Sequence, residues 1–161
     1  MQGLVLALFG ACVGSFTNVV AWRLPRQESV VVPSSHCPRC GHAVRWHDNL
    51  PVVGWLLLLG RCRDCRSPIS VRYPVVEALS AGLWLSAAYV QPSGGGDLPI
   101  AVLPWAGLPL IALLLPLVLI DFDHMWLPET LCRCGVLVGL AMSATACLLY
   151  TSDAADERHG V

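Results

Sequence analysis

The chain has 161 residues, 55% of them hydrophobic and only 13% charged, with a mean hydropathy of +0.62. A water-soluble domain of this length carries about 25% charged residues, so the composition excludes an ordinary soluble globule and points to a membrane. The formal net charge of −1 conceals a strong asymmetry along the chain.

Residues 3–22, "GLVLALFGACVGSFTNVVAW", hold no charge and match the roughly 20 apolar residues that cross a bilayer. No basic stretch precedes them and no A-x-A-like exit follows, so they read as a retained helix and not as a signal peptide. Cys12, inside this segment, is expected to be packed.

From Arg23 to Arg72 the chain turns basic. Eight of its ten arginines lie here against Glu28, Asp48 and Asp64, which leaves five net positive charges. Basic loops stay on the cytoplasmic side, so this loop is expected in the cytoplasm and the N-terminus outside. The same charges are compatible with nucleic acid, but juxtamembrane arginines already have a topological role and anionic lipid beside them. No nucleic-acid partner is expected.

Within the loop, "CPRC" and "CRDC" place Cys37, Cys40, Cys62 and Cys65 in a C-x2-C-x21-C-x2-C pattern. Two such turns can present four thiolates to one tetrahedral zinc ion, closed to further ligands and therefore structural. The alternative is two disulfides or unpaired thiols, and a cytoplasmic loop disfavours disulfides. His36, His42 and His47 stand nearby and read as surface residues. Residues 50–59, "LPVVGWLLLL", are open between a short interfacial helix and a strand pair.

A second apolar segment covers residues 75–90, with Glu77 near its start, and residues 91–97, "QPSGGGD", form an outside turn. A third covers residues 98–120, where Pro104, Pro109 and Pro116 predict kinks. It delivers "LIDFDHMWLPE", residues 119–129, to the same face as the basic loop. A fourth runs from about Leu131 to Tyr150; Cys132 and Cys134 at its start read as packing residues. The expected fold is an all-α integral membrane protein of three to four transmembrane helices, with a small zinc-binding cytoplasmic loop between the first two.

Five motifs stand in order: "GSFTNVVAWRLP" (14–25), the paired cysteine turns, "DNLPVVGWLLLLGRC" (48–62), "SPISVRYPVVE" (67–77) and "IDFDHMWLPE" (120–129). Together they resemble the type IV prepilin peptidases over roughly residues 3–140. These are bifunctional leader peptidase/N-methyltransferases of the bacterial inner membrane and belong to the membrane aspartyl proteases. The resemblance implies cleavage of the basic leader from prepilins and pseudopilins on the cytoplasmic side. It also implies methylation of the new N-terminal amine by S-adenosylmethionine.

The family cuts with two aspartates, one in an I-D-x6-P context and one in Gly-x-Gly-Asp. One ionised carboxylate takes a proton from water while its protonated partner donates to the scissile carbonyl, and their mutual repulsion separates the two pKa values. Motif position makes Asp121 the first catalytic aspartate. Asp123 is the runner-up, but residues i and i+2 of a helix face different ways and would not share one water. The resemblance also assigns Glu77, Arg72 and Tyr73 to the methyl-transfer region; an interfacial Arg–Glu pair explains the first two equally well.

No Gly-x-Gly-Asp occurs in the sequence. Residues 147–157, "CLLYTSDAADE", correspond in frame to a transposase adapter used in DNA library preparation, so native sequence is expected to end near Ala146. The expected divisions are a first transmembrane helix (1–22), the basic loop with its four-cysteine site (23–73), the truncated helices of the peptidase domain (74–146) and adapter read-through (147–161). Such a chain is expected to be inactive as a protease by itself. Two other readings share these residues: a membrane-anchored zinc-binding module without catalysis, and a methyltransferase without protease activity.

Overall fold

The computed structural model describes residues 2–89 and 103–157. They form helix α1 (Gln2–Arg23) with a 3-10 turn (Leu24–Arg26), short helix α2 (Val53–Leu57), and helices α3 (Arg72–Tyr89), α4 (Leu103–His124) and α5 (Glu129–Glu157). Among the described residues there is no strand, only two isolated bridges, His36 with Ala43 and Arg61 with Pro68. Among the described residues, two helices are long and apolar enough to cross a membrane: α1 with its 3-10 turn, and the Gly107–His124 part of α4. The expected turn at 91–97 and the first residues of the third segment lie outside the described residues.

The first segment is helical as expected, and Arg23 sits in its last turn, where a cation meets the negative end of the helix dipole. The second helix starts earlier than its apolar run, so Arg72 and Tyr73 occupy its first turn. α4 continues through Pro109 and Pro116 and past the apolar run to His124. Both aspartates of "DFD" are therefore helical. Of the two options left open for residues 50–59, the helix is realised, as the five residues of α2.

α1 and α3 pack backbone to backbone. A Cβ on Gly14 would lie 2.8 Å from the Cα of Glu77 and 2.8 Å from the Cβ of Ser80; one on Gly10 would lie 2.7 Å from the Cβ of Trp84. Close approach through small residues is how helices associate when no hydrophobic effect separates them from their surroundings. Ser80 is fully buried and its hydroxyl donates to the carbonyl of Gly10 at 2.6 Å. Phe9 stacks on Trp84 with centroids 5.9 Å apart. α4 lies against this pair, with Ile120 wholly enclosed, whereas most of α5 is exposed.

Candidate metal centre and carboxylate site

The two cysteine turns are built alike. In the first, the Cys37 N–H donates to His42 O at 2.9 Å, Gly41 N–H to Cys37 O at 2.8 Å, and Val44 N–H to Ser35 O at 2.8 Å. The second repeats the pattern: Cys62 N–H to Ser67 O at 2.8 Å, Arg66 N–H to Cys62 O at 3.0 Å, and Ile69 N–H to Gly60 O at 2.7 Å. Each reverses through one left-handed residue, Gly41 at φ 72° and Arg66 at φ 58°.

The four sulfurs lie within 4.8 Å of one another. A tetrahedral zinc with bonds of about 2.3 Å requires sulfurs about 3.8 Å apart, and Cys37 and Cys65 are separated by 3.8 Å. The donor set fits a structural metal ion. Its electrostatics agree. Backbone N–H groups of Cys40 and Arg39 stabilise the Cys37 thiolate and bring its pKa to about 6. The Ser67 hydroxyl, 3.1 Å away, and the Ser67 backbone N–H lower that of Cys65.

Cys40 goes the other way. The His42 backbone N–H favours its thiolate, but burial and the three neighbouring sulfurs outweigh that and push it up to about 12. Four thiolates cannot crowd together without a cation, and one sulfur keeps its proton until a metal replaces it.

The second turn is tied to the rest of the loop. Arg63 donates from Nε and Nη2 to the Asp48 carboxylate at 2.7 and 2.5 Å, and those hydrogen bonds hold Asp48 below the usual carboxylate range. The Trp55 indole N–H donates to Ile69 O at 3.1 Å. His36 and His42 are exposed, and His47 approaches Asp48 at 3.7 Å and meets the Trp46 ring edge to face, so the histidines stay outside the sulfur cluster. Cys12, expected to be packed, is exposed and lines an open cleft instead. Cys134 is likewise exposed and Cys132 half-buried. Neither sits in a packed core, because α5 meets little besides α4.

At the other end of the loop, Glu77 is buried with 7% exposure and accepts the N–H of Val52 at 2.7 Å. Val52 has φ 61°, a strained value for a β-branched residue, so this bond fixes the entry to α2. Asn18 of α1 donates to Tyr73 O at 3.3 Å. Arg72 reaches across to Asp123 of α4, Nη1 to Oδ2 at 2.5 Å. Arg72, Tyr73 and Glu77 thus make three separate attachments, to α4, α1 and α2, and none of them lines a described cavity.

Asp121 and Asp123 are about 200° apart around α4 at 100° per residue. Asp123 is engaged by Arg72. Asp121 is exposed and, among the described residues, has no ion-pair partner. Sequence reasoning missed the Arg72–Asp123 and Arg63–Asp48 pairs, since partners far apart in sequence leave no local pattern. The Gly10–Gly14 seam did have a signal, the G-x-x-x-G spacing.

The profile of the bacterial peptidase A24 N-terminal domain matches residues 8–91. The chain belongs to this family. It is 45% identical over 138 residues to a prepilin leader peptidase/N-methyltransferase of Myxococcus xanthus, covering 86% of this chain and 39% of that protein. It is 41% identical over 146 residues to a type 4 prepilin-like proteins leader peptide-processing enzyme of Escherichia coli, covering 80% and 51%. A Klebsiella pneumoniae prepilin leader peptidase/N-methyltransferase is 36% identical over 160 residues, 96% of this chain and 67% of that protein. The chain spans only part of these relatives' length, from 39% to 67%. No solved structure matches it.

Proposed function

We propose that this chain carries one half of a two-aspartate prepilin peptidase that is also an N-methyltransferase, with Asp121 as the aspartate it contributes. The observation behind this reading is the division of labour at the end of α4. Arg72 occupies Asp123, while Asp121 is open to a substrate and to a second carboxylate. That second carboxylate, in a Gly-x-Gly-Asp context, is proposed to come from the part of the relatives' length that this chain does not span. One of the two takes the proton from water and the other protonates the peptide carbonyl.

In this reading α1, α3, α4 and α5 are embedded in the bacterial inner membrane, with the arginine-rich loop on the cytoplasmic side. Prepilins and pseudopilins are the substrates, and S-adenosylmethionine is the methyl donor, approaching the region bordered by Arg72, Tyr73 and Glu77. Zinc, held by Cys37, Cys40, Cys62 and Cys65, fixes the loop and supplies no open coordination site. The chain alone, which holds no Gly-x-Gly-Asp, does not cleave prepilin in this reading.

The test uses a longer enzyme bearing this segment, with a prepilin as substrate. Asp121→Asn abolishes leader removal, a loss of at least about 10³-fold for a group that moves a proton in the transition state. Asp123→Asn leaves measurable cleavage. The reverse ranking would transfer the role to Asp123, and cleavage by the isolated 161-residue chain would remove the need for a second aspartate.

A further inference from the structure

Arg23 closes α1 with only 8% of its surface exposed. Its Nη1 donates to the carbonyl of Ser29 at 3.0 Å. Among the described residues no carboxylate stands within ion-pair distance of it. A guanidinium taken out of water without an anion is costly. Arg23 nevertheless lines an open cleft of 490 Å³ between α1 and the first arm of the loop, within the range of roughly 300–1,000 Å³ that small-molecule sites occupy.

The chemistry of the cleft is one-sided. Arg23 is the single charged residue around it, and no acidic group lines it. Phe16 and Val19 of α1, with Val31, Val44 and Trp46 of the loop, supply apolar wall, and Ser15, Ser34, Ser35 and Asn49 add neutral polar groups. Val31 is 77% exposed and Trp46 81% exposed, so the cleft opens through apolar lips. It runs along α1 from Cys12, midway in the uncharged span, to Arg23, where that span ends, and one turn further Arg26 stacks 3.7 Å over the Trp22 ring. Aromatic and cationic side chains together mark the headgroup level of a bilayer.

We propose that this cleft seats an anionic phospholipid, with its phosphate on Arg23 and the start of its acyl chains against Phe16, Val19 and Trp46. The inference rests on the membrane placement argued above. The lipid completes the ion pair that the chain leaves open, and it wedges the loop against α1 beside the seam that α1 forms with α3.

The full chain, reconstituted into phosphatidylcholine liposomes and washed with alkaline carbonate, stays with the lipid; its release would defeat the membrane placement itself. Delipidated chain in neutral detergent is then offered equimolar phosphatidylglycerol and phosphatidylcholine, and retained lipid is read by native mass spectrometry. Phosphatidylglycerol is retained about fivefold or more over phosphatidylcholine, the scale of one cation beside an acidic lipid. Arg23→Gln erases that preference. Val31→Glu, on the rim and exposed, also erases it by presenting a carboxylate to Arg23. Metal content of one ion per chain reports that each variant has kept its loop, and the rim variant decides the matter if the Arg23 variant has not. Equal retention of the two lipids, a preference surviving in a folded variant, or displacement of the lipid by S-adenosylmethionine would overturn the proposal.

Discussion

The two cysteine turns share a hydrogen-bond pattern and differ in much of what supports it. The first (His36–Val44) has glycine at its left-handed position and lies in a loop whose side chains are mostly exposed. The second (Gly60–Ile69) has Arg66 there, yet it buries Cys62, grips Asp48 through Arg63 and hangs from Trp55 through Ile69. Its supports offset the strain at Arg66. The lesson is that the second turn has more support from the protein than the first, which leans on its sulfurs and on the Arg45–Asp64 pair at 3.9 Å. A metal shared by the four sulfurs, as proposed, would therefore make the first turn depend on the second.

Removing the metal breaks that comparison most severely, because binding to structural thiolates is worth on the order of 10 kcal/mol. After chelation, or in Cys62→Ser, the amide protons of Gly41 and Val44 exchange freely. Those of Cys62 and Ile69 keep part of their protection. Hydrogen exchange read residue by residue checks this, and equal loss in both turns would show that the supports of the second turn count for little.

The left-handed positions sharpen the comparison at smaller scale. A side chain with a Cβ costs about 1–2 kcal/mol in that conformation. Gly41→Val is therefore expected to weaken metal retention by about tenfold or more, although a Cβ there meets nothing within 4 Å. Arg66→Gly is expected to strengthen it by up to about tenfold, less whatever chain entropy glycine adds to the unfolded loop. Competition with a chromogenic chelator measures both.

How far the sequence alone led depends on the kind of interaction. Uncharged runs announced α1 and most of α4, and spacing announced the four sulfurs, because each is a pattern along the chain. The start of α3 escaped because Arg72 and Tyr73 are polar residues recruited into a first turn by contacts with Asp123 and Asn18. Glu77 drew notice as a carboxylate in an apolar segment, but its hold on Val52 is a tertiary contact. The exposure of Cys12 follows from the cleft beside it, and a cleft exists only once the loop folds back on α1.

The smallest expected effect concerns the strut between the turns. Asp48 is held below the usual carboxylate range by the Arg63 guanidinium, so the folded state binds its proton less readily than the unfolded chain does. The resulting stability is fully present above the ordinary aspartate value of about 3.9 and is lost as pH falls through the depressed one. The Asp48 side chain is only 6% exposed, but the Arg63 guanidinium is 42% exposed, and a pair with one end in solvent contributes little. Asp48→Asn is therefore expected to leave the metal bound at neutral pH and to quicken exchange at Cys62 and Ile69 without changing Gly41 or Val44. Only below the depressed Asp48 value, where the wild-type strut is itself protonated, should the variant and the parent chain exchange alike. If Asp48→Asn instead loosened the first turn as much as the second, the strut would be acting through the sulfur cluster and not through the second turn alone.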